Sequence, residues 1–179
     1  MTKSSRTRRL SPLLAALVLA ACSRGAEEQP APTPPPASEA TAPSPDPIGG
    51  TVGGDGSAIE LQVLTAEDLN AETLPGELAC SFARADDGVL LLVRGDVASG
   101  EAAVGVVKVS GYVERVAAPG GFDAMLEGAS FAGQGKTVAV EVTGQATGGG
   151  ESPPRPATLT YQRADGASRV FDGLWTCGP

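Results

Sequence analysis

From residue 58 onward the chain alternates between apolar and polar side chains. "AIELQVL" (58–64) and "ELACSFAR" (77–84) change character at nearly every step, the period of a strand with one buried face. "VLLLVRG" (89–95) is a continuous apolar run that fits a buried strand. "AAVGVVKVSGYVERVA" (102–117), "KTVAVEVTG" (136–144), "ATLTYQRA" (157–164) and "SRVFDGLWTC" (168–177) are rich in β-branched or aromatic residues. Turn chemistry separates these runs at Asp86-Asp87-Gly88, Ser99-Gly100, Ser110-Gly111, Pro119-Gly120-Gly121 and Asp165-Gly166. One short helix is predicted in "TAEDLNAETL" (65–74), where Thr65 caps, Asp68 answers three residues on, and Pro75-Gly76 stops the helix. About seven to nine short strands in a stretch of this length predict an all-β domain, a small antiparallel barrel or sandwich. The pattern does not choose between the two.

Two finer features follow the same logic. "FARADDGVL" (82–90) and "YQRADGASRV" (161–170) both place Arg-Ala-Asp before a glycine after an aromatic strand, which reads as two hairpin turns meeting the same backbone demand. "GQATGGGESPPRP" (144–156) has few packing residues between two good strands and reads as a long, flexible connection.

The first 22 residues have a different pattern. "MTKSSRTRR" carries Lys3, Arg6, Arg8 and Arg9 and no acid, and the apolar "LSPLLAALVLAA" follows. That is the layout of a secretory signal peptide, shorter than the roughly 20 apolar residues a spanning helix needs. Leu19-Ala20-Ala21-Cys22 resembles the lipobox of bacterial lipoproteins, where the bond before the cysteine is cut and the cysteine is lipidated. The resemblance implies a signal peptide at 1–21, Cys22 as the lipidation site and a lipid-anchored protein of the cell envelope. In Gram-negative members an aspartate after the cysteine retains the protein at the inner membrane. Ser23 stands here, so for a Gram-negative source the resemblance implies the outer membrane, facing the periplasm; for a Gram-positive source that inference lapses.

Residues 22–57 read as a disordered linker. From Ser23 to Ser57 there are eight prolines, a glycine cluster and almost no large apolar side chains, too little to offset ordering entropy. As extended polyproline II this segment would span about 110 Å. The β domain is then expected over 58–179.

Charge narrows the partners. The leader holds four of the thirteen basic residues and no acid, so its removal leaves nine against twenty-one, a net charge of −12. Such a chain lacks the basic footprint that nucleic acid requires, is repelled by anionic headgroups, and would attract a basic protein. With Cys22 lipidated, Cys80 and Cys177 remain as an even pair in an exported, oxidising setting, and a disulfide between them is expected. Trp175 falls on the same strand face as Cys177 and should pack over that bridge.

Catalytic chemistry is sparse. The sequence has no histidine, hence no Ser-His-Asp arrangement and no metal site of the usual type, and no cofactor or metal is expected. "GQGKT" (133–137) lacks the earlier glycine of a phosphate loop and precedes a strand pattern, so Lys136 reads as a turn residue entering a strand. Arg94-Gly95-Asp96 reads as the turn after "VLLLV". Asp86, Asp87, Asp123 and Asp172 fall in no recognisable pairing and read as solvated.

An acidic, anchored, all-β domain with one cysteine early and one near its end is similar to the membrane-bound inhibitors of c-type lysozyme. That family inserts a Ser-Gly-x-x-Tyr loop into the basic enzyme. Ser110-Gly111-Tyr112 matches its first two residues, with tyrosine following at once. The resemblance implies contact residues at Ser110, Gly111 and Tyr112. The expectation from the whole sequence is a non-enzymatic binding or structural domain displayed off the membrane, with lysozyme inhibition as the alternative and an enzyme as the remote one.

Overall fold

The computed structural model describes residues 49–84 and 87–179. The leader, Cys22, Asp86 and most of the expected linker lie outside the described residues. The elements are β1 (Leu61–Gln62), α1 (Ala66–Ala71), β2 (Leu78–Arg84), β3 (Gly88–Gly95), β4 (Ala103–Val109), β5 (Tyr112–Ala118), β6 (Ser130–Gly133), β7 (Lys136–Val142), β8 (Arg155–Arg163) and β9 (Ser168–Gly178). A 3₁₀ turn at Asp123–Met125 precedes β6. Among these none is a helix long and apolar enough to cross a membrane.

Each strand from β2 to β9 pairs antiparallel with the next, and β9 returns to β2, so eight strands close into an up-and-down barrel with β1 as an extra strand. The all-β expectation holds, and the sheet resolves as a barrel. The closing β2–β9 ladder is reinforced covalently: Cys80 lies opposite Cys177 in its register, and the two form a disulfide with Cα atoms 4.1 Å apart. A barrel of this strand number has an interior just wide enough for side chains to fill. Phe82, Leu91, Val93, Val107, Val116, Phe131, Val138, Leu159, Phe171 and Trp175 fill it. On β4 the lack of a side chain at Gly105 is required, because a Cβ there would lie 2.6 Å from the Leu92 carbonyl oxygen.

The up-and-down path gives the barrel two unlike ends. Tight turns (β2–β3, β4–β5, β6–β7 and β8–β9) gather at one end. The long connections 96–102, 119–129 and 143–154 gather at the other, beside the disulfide. The second Arg-Ala-Asp string, 163–165, enters the turn of the β8–β9 hairpin at the tight-turn end, while Ala85 and Asp86 of the first lie outside the described residues.

Four elements depart from the sequence pattern. β3 contains a bulge: Phe82 pairs with Leu91 and Ala83 with Val89, so Leu90 is an extra residue and both leucines are buried. That is why "VLLLV" shows no alternation. β6 was not anticipated, since "SFAG" is too short to show a period and buries only Phe131. The strand expected over 58–64 shrinks to Leu61–Gln62, because Ile59 sinks into the core, β1 pairs with the end of β4, and the Leu64 amide donates to the Val89 carbonyl on β3. Lastly, the segment preceding residue 58 packs on the barrel: Val52 bridges to Ser168, the Ile59 amide donates to Thr51 Oγ1 at 2.7 Å, and Asp55 pairs with Arg163 at 2.9 Å. Polar contacts hold this segment, which is why its apolar content did not reveal it.

The predicted helix forms with both halves of its capping box, Thr65 and Asp68, in place. It lies on the outer face of β4 and β5. Asp68 pairs with Lys108 at 2.8 Å, while Arg115 donates to Glu72 and to the Thr73 carbonyl. Hydrogen bonds from Lys108, then from Thr65, lower the Asp68 carboxyl from 3.8 to about 2. A carboxyl lowered by folding adds stability above its unfolded pKa and loses it as pH falls through the folded one. Asp68→Asn is therefore expected to flatten the decline in melting temperature between about pH 4 and pH 2. An acid limb identical to wild type would show that this pair contributes nothing.

Candidate functional site

The tight-turn end concentrates the exposed aromatic and the inward-facing charges. Ser110 and Gly111 form a two-residue turn between β4 and β5, with φ of 49° and 89°, the positive values that a type I′ hairpin requires at both positions. β1 braces it: the Ser110 amide donates to the Glu60 carbonyl and the Gly111 amide to Gln62 Oε1 at 2.6 Å. Tyr112 follows, and 75% of its surface is exposed. The turn is too tight to be an inserted loop; what it projects is the tyrosine ring.

Strand periodicity carries Glu114 and Lys136 to the same mouth. Val116 and Ala118 point inward on β5, and Val138 and Val140 on β7, so Glu114 and Lys136 hold the inward phase where the barrel meets solvent. Their side chains join across the wall at 2.7 Å, with that of Lys136 only 9% exposed. The Tyr161 hydroxyl, from β8, donates to Glu114 at 3.5 Å. Burial, and then the neighbouring Glu114 charge, push the Tyr161 hydroxyl up to about 12. Below that pH the group is a neutral donor, so it serves as a clamp on the carboxylate and does not supply a base.

The wall is thin beside this cluster. β5 and β6 share a single register pair, Ala117↔Ala132, β6 ends with Gly133 against the Arg115 carbonyl, and among the described residues no strand lies beside 112–114 on that side. A cleft of about 370 Å³ opens there, lined by Val113, Glu114, Arg115, Gln134 and Lys136. A second, of about 390 Å³, lies on the other side of the β6–β7 hairpin, against Gln162 and Arg163.

Other sequence candidates are scattered. Lys136 does open a strand, and "GQGKT" is the β6–β7 hairpin. Arg94 of "RGD" turns back to donate to the Gly76 and Glu77 carbonyls at 2.8 and 3.2 Å, which occupies its guanidinium. Asp87 pairs with Arg84, Asp123 accepts from the Ala98 amide at 2.7 Å, and Asp172 is exposed on β9, so these carboxylates do not meet. The 143–154 connection is pinned midway, where the Thr147 amide donates to the Pro154 carbonyl. At the long-connection end Trp175 is buried, with its Nε1 donating to the Met125 carbonyl at 2.8 Å, beneath a cleft of about 230 Å³ formed with Leu126, Glu127, Pro153, Arg155 and Cys177. No group of His, Cys, Asp and Glu among the described residues has the geometry to hold a metal ion.

Sequence reasoning placed Ser110, Gly111 and Tyr112 but missed Gln62, Glu114 and Tyr161. A charged residue on the inward phase of an otherwise apolar strand, as in "YVERVA" and "KTVAV", was the available signal. Compared with protein-family models, with curated proteins and with solved structures, the chain shows no match.

Proposed function

We propose that this protein is an envelope lipoprotein, anchored through Cys22, whose barrel is a non-enzymatic binding domain for a basic protein partner. The observation that carries the reading is the distribution of charge. The described residues hold eight basic side chains and sixteen carboxylates. Arg84, Lys108, Arg115, Lys136, Arg155 and Arg163 are each paired with a carboxylate. Arg94 is spent on carbonyls, and Arg169 on the Ile59 carbonyl and the Phe171 ring. Glu60, Glu67, Glu77, Asp96, Glu101, Asp123, Glu141, Glu151 and Asp172 have no basic partner among the described residues. The field that reaches a partner is therefore negative. The apolar filling of the barrel supports recognition on its surface over carriage of a ligand inside it.

The test is capture from envelope extract on the immobilised Cys22→Ser chain. Basic proteins should be retained in dilute buffer and released at about 0.5 M salt, where the screening length falls to roughly 4 Å. Retention that ignores salt, or that selects acidic proteins, overturns the reading. A c-type lysozyme is the defined probe for the alternative: inhibition that disappears with Tyr112→Ala would favour it over a more general basic partner.

A further inference from the structure

We infer that the open seam between β5 and the β6–β7 hairpin is a docking edge for an extended, basic peptide segment of the partner, which adds a short strand beside Val113. The inference rests on the basic-partner reading and names the surface that would serve it.

Backbone geometry supplies the first part. In an antiparallel pair, residues alternate between those that exchange hydrogen bonds with the neighbour and those whose amide and carbonyl point away from it. The two-residue turn makes Val109↔Tyr112 a bonded pair, so Glu114 is bonded to β4 and Val113 is not. The Val113 amide and carbonyl therefore face the seam, where no strand among the described residues lies beside them. By contrast, β1 fills the corresponding gap between β3 and β4. An unpaired strand edge is a template for another chain.

The side chains around the seam fit one class of occupant. The cleft of about 370 Å³ beside Val113 has room for a few side chains. Its charges are already matched, Glu114 to Lys136 and Arg115 to Glu72, so it imposes no unpaired charge on a docked backbone. The Tyr112 ring, 75% exposed at one end of the edge, offers its face to a lysine or arginine of the incoming strand. The unpartnered carboxylates attract the same chemistry at longer range. A second copy of this chain carries the same excess of acid and is repelled.

Hydrogen exchange on the full-length chain in detergent micelles tests the edge. Without peptide, the Val113 amide should exchange much faster than those of Tyr112 and Glu114, which are bonded to β4. A blocked peptide of about six residues alternating valine and lysine should slow Val113 exchange by about tenfold, the upper end for one net hydrogen bond. The same peptide N-methylated at every residue keeps its charge but has neither edge free to pair, and should leave Val113 unprotected. Val113→Pro should keep the wild-type melting temperature, because the lost donor faces the seam, and should lose the protection-linked binding. If Val113 is slow to exchange in the free chain, its amide already has a partner and the inference is overturned, whether or not Val113→Pro folds. Equal binding of both peptides with no protection at Val113 also overturns it, while leaving the basic-partner reading standing. Failure of the extract experiment alone would have the opposite meaning.

Discussion

Replacing Trp175 with alanine is expected to destabilise the barrel by about 3–5 kcal/mol, the usual cost of removing a buried aromatic from a core. Trp175 is 1% exposed, stands opposite Phe82 in the β2–β9 register, and tilts against Phe131 with ring centroids 6.4 Å apart. Truncation would open a void between those rings that the closed wall cannot collapse to fill. It would also strip the Met125 carbonyl of the indole donor that holds the 3₁₀ turn to the barrel. Trp175→Phe isolates the second effect, since most of the volume stays and only the N–H is lost; about 0.5–1.5 kcal/mol is expected for one net hydrogen bond, because the Gly128 amide still donates to the same carbonyl at 2.9 Å. Because this is the only tryptophan, unfolding should be followed by circular dichroism in urea rather than by fluorescence. A loss below about 1 kcal/mol for the alanine variant would mean that the core repacks around the site, against the close-packed interior described above.

Removing the Cys80–Cys177 bridge is the second large perturbation. The bond spans 97 residues of sequence, and a loop of about that size corresponds to about 4–5 kcal/mol of stabilisation in the chain-entropy model, with measured losses of about 2–5 kcal/mol for native bridges. The bridge joins the first and last strands of the closed sheet. Without it the β2–β9 pairing, from Ala79↔Gly178 to Ala83↔Leu174, must close a loop of nearly the whole domain on its own. The double variant Cys80→Ser/Cys177→Ser should retain the β signature in circular dichroism and melt far below wild type. A melting temperature within a few degrees of wild type would show that the remaining contacts across that seam suffice. Exhaustive alkylation with and without reductant gives the companion test, since a bonded pair takes up label only after reduction.

Much of the fold was legible because its determinants are local. The helix is written in Thr65 and Asp68, whose spacing alone satisfies two backbone donors. The hairpins are written in short polar turns between β-branched runs, and the Arg-Ala-Asp string at 163–165 marks one of them. Pairing of Cys80 with Cys177 followed from the number of cysteines and the oxidising compartment implied by the leader, without knowledge of geometry. The candidate site was legible only in part. Ser110, Gly111 and Tyr112 stand out as turn residues followed by an aromatic. Glu114 and Tyr161 do not, since each is one member of a regular strand until the barrel brings β5, β7 and β8 to a common mouth.

The sequence by itself determined the class of the domain, its single capped helix, most of its strands and turns, and its excess of acid. Period, turn chemistry and composition act within a few residues and need no knowledge of what lies across the core. Only the tertiary structure decided that the sheet closes as a barrel, that Leu90 is accommodated in a bulge, that residues 51–57 bind back to the β8–β9 hairpin, and that among the described residues no strand covers β5 beside Val113. Each of these depends on which strands become neighbours. For Asp55 and Arg163, or Cys80 and Cys177, that neighbour lies about a hundred residues away, where loop-closure entropy must be overcome by the sum of core contacts and no local pattern records the result.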